Sequence, residues 1–133
     1  HLDRARLADL YLDTRLFNAH TVACDLLWAE VPVLTAPGDT FASRVAASLL
    51  RAAGLDELIA RDEDDYANLA ISLARDAGRL ARIKRHLAEN KTTLPLFDTR
   101  RYVRNLECAF TMMWERSAAG LPPAGFDVAD PDA

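Results

Sequence analysis

The residues whose types could do chemistry are concentrated in the segment Phe17-Asn18-Ala19-His20-Thr21, with Asp25 four residues beyond Thr21. The segment follows a predicted strand and opens a predicted helix, which is where open α/β sheets bind ligands. The first amides of a helix lack internal partners and carry partial positive charge, so they form a ready phosphate site. We therefore predict a diphosphate-binding loop in which His20 adds a donor and Thr21 offers its hydroxyl and its amide.

Each of these residues also has an ordinary structural interpretation. Thr21 is a common N-cap residue, and His20 would then be a plain loop residue. Asp25 lies in the first turn of the helix and faces the same way as the loop, so its carboxylate could accept two hydroxyls of a ribose. The helix dipole alone also favours an acid there. From spacing alone, both interpretations remain open.

A second candidate is the acidic run Asp62-Glu63-Asp64, which matches an acid-x-acid pattern able to hold a divalent metal, since hard cations prefer clustered carboxylate oxygens. Four acids before a helix are more ordinarily a dipole-stabilised helix start. We expect His86 to be exposed on a basic helix face, without a partner at metal-ligand spacing. The absence of a Gly-rich phosphate loop and of a Gly-x-Ser-x-Gly elbow leaves no basis for P-loop hydrolysis or serine-esterase chemistry.

The elements that would position the loop form a βαβ unit. Alternating apolar and polar residues predict a strand within Ala8 to Asp13, and a β-branched apolar run predicts a second over Val31 to Thr35. Helical spacing predicts a helix between them, from near His20 to about Glu30, so the two strands should be parallel.

Beyond this unit we expect a short third strand and four further helices. The third strand is Leu58 to Ala60. The helices are expected from Thr40, with Gly54 as the C-cap glycine; after the acidic run, with Leu69 and Leu73 on the buried side; around Leu80 to Leu87; and from Asp98 or Thr99 through Trp114. The last carries an apolar stripe that is interpreted as packing or as a docking surface for a second lobe: Tyr102, Leu106, Phe110, Met113 and Trp114.

Length and composition fit one compact domain of 133 residues, half of them apolar. The net charge of -4 argues against a nucleic-acid partner. Cys24 and Cys108 lie in apolar runs, which favours a reduced, cytoplasmic setting, and no apolar stretch approaches the ~18 residues of a membrane span. His1 opens the chain without an initiator methionine, so we expect a piece of a longer protein. The tail from Gly120 is expected to be extended or disordered.

Four longer runs resemble the carboxy-terminal catalytic lobe of O-linked N-acetylglucosamine transferases. They are Leu12-Asp13-Thr14 with Asn18-Ala19-His20-Thr21; Cys24 through Ala29; Pro37 through Leu50; and Pro95 through Thr99. Shorter matches at Glu57 to Ala60, Asp65-Tyr66 and Met113 to Glu115 extend the resemblance to about Ala119.

The resemblance implies a Rossmann-like three-layer α/β lobe with a parallel sheet, the carboxy-terminal half of a two-lobed GT-B glycosyltransferase. Residues 1–119 would form the lobe and its long terminal helix, and residues 120–133 the tail. Such enzymes transfer N-acetylglucosamine from UDP-GlcNAc to serine or threonine hydroxyls of proteins with inversion, without a metal or other cofactor. The implied partners are the UDP-sugar, the amino-terminal lobe and acceptor proteins recruited by upstream helical repeats, with neither nucleic acid nor membrane.

The resemblance also assigns UDP-binding positions and no catalytic base in this chain. By position, His1 would stack on uracil, Arg4 would lie near the base, His20, Thr21 and Val22 would contact the diphosphate, and Asp25 would hold the ribose. Val22 stands where the family has a second threonine, so one hydroxyl donor is lost while the amide remains. Ala19 and Ala23 replace glycines, a mild change where φ is negative. The family's phosphate-contacting lysine has no counterpart in these 133 residues.

Three alternatives stay open at this point. A related protein O-fucosyltransferase of the same architecture would use GDP-fucose, although His20 and the Phe41 to Ser48 segment favour the glucosamine branch. A non-catalytic nucleotide-binding or protein-docking module would fit the hydroxyl lost at Val22. The non-hydrolysing sugar epimerases share the two-lobed fold and the donor, but the quoted motifs match them poorly.

Overall fold

The computed structural model describes residues 2–129, so the position assigned to His1 lies outside the described residues. The chain forms two compact units, the first ending at Leu96 and the second beginning at Phe97. The architecture is mixed α/β and mostly helical, with a small parallel sheet of two strands and a long final helix.

The predicted βαβ unit is confirmed, with shorter elements than expected. A short helix that sequence patterns did not indicate, α1 (Leu2–Ala5), precedes strand β1 (Tyr11–Leu12), helix α2 (Thr21–Trp28) and strand β2 (Val33–Leu34). The strands are parallel, with Tyr11 opposite Val33 and Leu12 opposite Leu34. A parallel pair needs a crossover connection, and α2 supplies it.

The predicted third strand is wrong as a strand, although its position is right. Leu58 closes a 3₁₀ turn (Asp56–Leu58), and a single parallel bridge joins Thr35 to Ile59. The amide of Thr35 donates to the Leu58 carbonyl at 3.1 Å, and that of Ala60 donates to the Thr35 carbonyl at 2.8 Å. The polypeptide therefore extends the sheet by one residue before it turns into the next helix.

The remaining helices follow the capping signals in the sequence. Thr40 caps a 3₁₀ turn (Phe41–Ser43) rather than a continuous helix, and α3 (Val45–Ala52) begins after Arg44. They are followed by α4 (Glu63–Arg75), α5 (Ala77–Asn90), a 3₁₀ turn (Pro95–Phe97) and α6 (Thr99–Ala118). Aspartates at the N-caps of α4, α5 and α6 accept hydrogen bonds from backbone amides, as N-cap side chains do: Asp62, Asp76 and Asp98.

The core of the first unit is built from aliphatic side chains of α2, β2 and the helices around them. Its fully buried members include Leu27, Val33, Leu34, Leu50, Leu58, Leu73 and Leu87. In the second unit, α6 has no buried side chain along its described length, and its predicted apolar stripe is exposed. No described helix combines the length and apolar character needed to span a membrane.

Gly54 ends α3 in the left-handed region predicted for it, with φ of 67°. Its amide donates to the Arg51 carbonyl and that of Leu55 to the Leu50 carbonyl, the two bonds of a Schellman motif. Glu30 occupies the same place after α2, with φ of 68° and the corresponding bonds to Leu27 and Leu26. A residue with a Cβ can therefore adopt this conformation here, at an energetic cost.

We expect Gly54→Ala to lower the free energy of unfolding by about 1 kcal/mol, because alanine is strained at positive φ. Space is not the reason, since an added Cβ would meet only His86 at 3.7 Å. Urea unfolding of the purified chain checks this, with Gly125→Ala as the control because nothing lies within 4 Å of a Cβ there. Equal midpoints for the two variants would contradict the backbone argument.

Candidate functional site

The candidate site lies at the carboxyl edge of the parallel pair, where two loops meet. The first edge loop, residues 13–20, follows β1 and leads to α2; the second edge loop, residues 35–44, follows β2. The amide of Asn18 donates to the Ala42 carbonyl at 2.8 Å, and Nε2 of His20 lies 3.2 Å from the same oxygen. These contacts hold the segment that was predicted to bind diphosphate against the second edge loop.

Helix α2 begins at this edge with an open first turn. His20 occupies the N-cap position and makes no side-chain cap hydrogen bond. Thr21 is the first helical residue, so the interpretation of Thr21 as the N-cap is wrong. Both Thr21 and Val22 are exposed, and the first bond within the helix joins the Cys24 amide to the His20 carbonyl. The preceding amides of the turn point toward the helix N-terminus, the geometry that favours an anion.

The His20 ring is held by aromatic neighbours rather than hanging free in solvent. It stacks on Phe17 with centroids 4.7 Å apart and meets Phe41 edge-on at 6.2 Å. When Nε2 donates to Ala42, the neutral ring has only an acceptor at Nδ1. The ring can keep that bond and also donate to a phosphate through Nδ1 only in its protonated form.

The other assigned positions lie on neighbouring helices. Asp25 stands one turn after Thr21 on α2 and is half-buried. Burial raises the pKa of the neighbouring Cys24 thiol, and the negative charge of Asp25 raises it further. Arg4 is exposed on α1, a helix that contacts α2. Among the described residues Glu30 is the only non-glycine with positive φ, so Ala19 and Ala23 accept the loss of glycine without strain.

The acidic run forms the start of α4, and most of its carboxylates have partners. Asp62 caps the helix by accepting from the Asp65 amide at 2.8 Å, and Glu63 pairs with Arg15. Asp65 accepts from the Arg61 side chain at 3.0 Å through both oxygens, and this pairing lowers its pKa to about 2. Within residues 2–129 no group of three or more His, Cys, Asp or Glu side chains is placed to hold a metal.

Three polar residues at this edge were missed as functional candidates because their contacts are long-range. Asp13 is buried, and its carboxylate accepts from the Thr35 hydroxyl at 2.7 Å. The Tyr66 hydroxyl donates to the Asp13 carbonyl at 2.9 Å. Burial first, then the neighbouring Asp13 and Tyr11, raise the pKa of Tyr66. The only sequence signal was an aspartate at the end of a predicted strand.

His86 lies away from this edge, and the expectation that it is exposed is wrong. It is half-buried, with Nε2 2.9 Å from the Ala53 carbonyl at the end of α3. The Asn90 side chain lies 3.4 Å from its Nδ1. This histidine therefore contacts the C-terminus of α3, a structural role.

Comparison with known proteins identifies the class of protein to which this chain belongs. The family model described as Glycosyl transferase family 41 matches residues 1–106. The chain is 41% identical over 133 residues to a probable UDP-N-acetylglucosamine–peptide N-acetylglucosaminyltransferase, SEC, of Arabidopsis thaliana, covering 99% of this chain and 14% of that protein. It is 39% identical over 122 residues to the UDP-N-acetylglucosamine–peptide N-acetylglucosaminyltransferase of Caenorhabditis elegans, covering 92% and 11%.

A solved structure supports the same conclusion. A mutant O-GlcNAc transferase of Thermobaculum terrenum is similar with a TM-score of 0.83 and 35% identity, over 90% of this chain and 23% of that one. The chain therefore belongs to glycosyl transferase family 41. It spans only 14% of the length of the Arabidopsis relative.

We expect Asp65→Asn to abolish one step in the pH dependence of stability. The pKa of Asp65 is lowered from 3.8 to about 2 in the folded chain, so its stabilising contribution is present above pH 3.8 and lost as the pH falls toward 2. Urea midpoints measured between pH 2 and pH 5 check this.

The matched control is Asp64→Asn, which removes one negative charge from the same helix turn without touching the Arg61 pair. It should retain the decline in midpoint between pH 4 and pH 2. A decline of wild-type size in Asp65→Asn would show that the Arg61 pair contributes nothing to acid sensitivity.

Proposed function

We propose that this chain is the nucleotide-binding part of an enzyme that transfers N-acetylglucosamine from UDP-GlcNAc to serine or threonine hydroxyls of proteins, with inversion. The observation that carries the proposal is the uncapped N-terminus of α2, with Thr21 and Val22 exposed at the carboxyl edge of a parallel strand pair. Two relatives that match nearly the whole chain are named for that activity.

In this proposal the diphosphate binds at the first turn of α2. The Thr21 hydroxyl and the amides of Thr21 and Val22 donate to its oxygens, and the His20 imidazole adds a donor beside them. Asp25 accepts the ribose hydroxyls from its place one turn along the helix. Arg4 lies near the base. His1, which the resemblance assigns to the uracil, lies outside the described residues.

The same groups assist the reaction by stabilising the leaving group. Negative charge grows on the departing UDP as the bond to the anomeric carbon breaks, and fixed dipoles aimed at it lower the barrier. The acceptor hydroxyl attacks from the opposite face of the sugar, which inverts the configuration. We assign no base for that hydroxyl to the described residues. No metal is needed in this proposal, because helix amides and a lysine outside this chain supply the positive charge.

The fold proposed for the complete site is a two-lobed GT-B enzyme. Residues 1–119 would contribute a Rossmann-like three-layer lobe with its terminal helix, and residues 120–133 a tail. An amino-terminal lobe would hold the acceptor, and upstream helical repeats would recruit acceptor proteins. The similarity to the Thermobaculum terrenum O-GlcNAc transferase supports placing this chain within such an enzyme.

A chimaeric enzyme tests the proposal, with this chain in place of the matching segment of the Thermobaculum terrenum O-GlcNAc transferase. We expect calorimetric titration to show saturable UDP binding that a metal chelator does not change. Thr21→Ala and Asp25→Ala should each weaken it by about tenfold or more, the size of a lost hydrogen bond to a charged group.

Matched controls are Thr93→Ala and Asp9→Ala, which remove the same groups from exposed positions of the first unit away from α2. Both should bind UDP like the parent chimaera. A folded chimaera that does not bind UDP, beside an unaltered enzyme that does, would refute the proposed function. Tighter binding of guanosine diphosphate than of UDP would instead favour the fucose donor.

We expect Val22→Thr to strengthen UDP binding in the chimaera by about two- to tenfold. The substitution restores a hydroxyl donor beside the phosphate site, and one hydrogen bond contributes roughly 0.5–1.5 kcal/mol. The control is Val103→Thr, since Val22 and Val103 are similarly exposed, at 47% and 43%. Unchanged affinity in Val22→Thr would mean that this side chain does not face the diphosphate.

A further inference from the structure

Asp13 is the most highly connected polar residue at the carboxyl edge. Its Oδ1 accepts from the Thr14 amide at 2.9 Å and from the Ala19 amide at 2.7 Å. Its Oδ2 accepts from the Thr35 hydroxyl at 2.7 Å. The side chain is only 7% exposed, so both oxygens are satisfied inside the protein.

The backbone of Asp13 joins two further elements to the same point. Its amide continues the strand ladder by donating to the Leu34 carbonyl at 3.0 Å. Its carbonyl accepts from the Tyr66 hydroxyl on α4 at 2.9 Å. One residue therefore connects β1, the end of β2, the first edge loop and α4.

The bond to Ala19 determines how the chain enters α2. It spans six residues and draws the end of the first edge loop back to the end of β1. Ala19 immediately precedes the N-cap residue His20, so the direction of the first turn of α2 depends on where this amide is held. The Thr35 bond fixes the start of the second edge loop relative to the same carboxylate.

The three donors to the Asp13 carboxylate are uncharged, and burial of a carboxylate is costly unless it is hydrogen-bonded. A carboxylate also brings negative charge toward a site that we propose binds a diphosphate. The contribution of Asp13 to the site is therefore geometric rather than electrostatic. Its carboxylate accepts from three separate donors, which no apolar side chain could do.

We propose that Asp13 is a positioning residue, whose buried carboxylate holds the first edge loop so that the N-terminus of α2 faces the diphosphate. This proposal rests on the proposed function, because the positioning matters only where a diphosphate binds at α2. The hydrogen-bond geometry itself is independent of any ligand, so the two can fail separately.

The test compares Asp13→Ala and Asp13→Asn in the chimaera. Alanine removes all three acceptor contacts. Asparagine keeps one oxygen for the two amides, and its Nδ2 can donate to the Thr35 hydroxyl, which loses only its own acceptor. We expect Asp13→Ala to weaken UDP binding by about tenfold or more, and Asp13→Asn to restore it to within about threefold of the parent.

A variant that loses stability without disturbing the edge separates positioning from general destabilisation. Leu87→Ala removes a core side chain of α5, 1% exposed, and should lower the urea midpoint while leaving the UDP affinity unchanged. Where Asp13→Ala does not fold, Thr35→Val carries the same test, because it deletes one donor to the carboxylate and keeps the side-chain shape. It should weaken UDP binding measurably.

Amide hydrogen exchange without UDP supplies a second readout. Asp13→Ala, or Thr35→Val in its place, should raise exchange at Ala19 and in the first turn of α2, and Leu87→Ala should not do so selectively. Unchanged exchange there overturns the positioning role whether or not UDP binds. Raised exchange with unchanged UDP affinity also overturns the positioning role. If the parent chimaera does not bind UDP, only the proposed function is refuted.

Discussion

The buried carboxylate of Asp13 holds together an edge that strand pairing alone could not define. Each strand of the sheet has two residues, so the ladder supplies few hydrogen bonds and would allow the loops beyond it to move. The carboxylate accepts from the loop that leads to α2 and from Thr35 after β2. Because these contacts are inside the protein, the start of α2 is fixed by a short network rather than by a large sheet.

The way that α2 begins then determines what the edge can bind. The three longest helices carry an aspartate at the N-cap, which satisfies backbone amides and places negative charge against them. An aspartate in the place of His20 would occupy the amides and repel a diphosphate. His20 instead turns its ring between Phe17 and Phe41 and leaves the turn uncapped. In the proposed function, a bound diphosphate would satisfy the amides that no side chain caps.

Local signals in the sequence predicted the helices well and the sheet only in part. Asp98 at the start of α6 and Gly54 after α3 were predicted correctly because a cap depends on residues within one turn. The prediction of a third strand was wrong because Leu58 lies in a 3₁₀ turn, and only Ile59 forms a bridge to the sheet. The contact between Asp13 and Thr35 joins residues 22 apart, and no local pattern encodes it. The stripe on α6 showed amphipathicity correctly, but periodicity does not say whether a face is covered.

The position of the candidate loop could be predicted from the strand and helix that flank it, and its proposed chemistry is mostly backbone chemistry. Helix amides bind phosphate whatever their side chains, so a valine at position 22 removes one donor and leaves the others. By the resemblance, Ala19 replaces a glycine of the family. It does not have a positive φ, and its amide donates to the Asp13 carboxylate. Substitutions in the loop should therefore matter less than changes to the carboxylate behind it, because the loop residues present amides whose direction Asp13 sets.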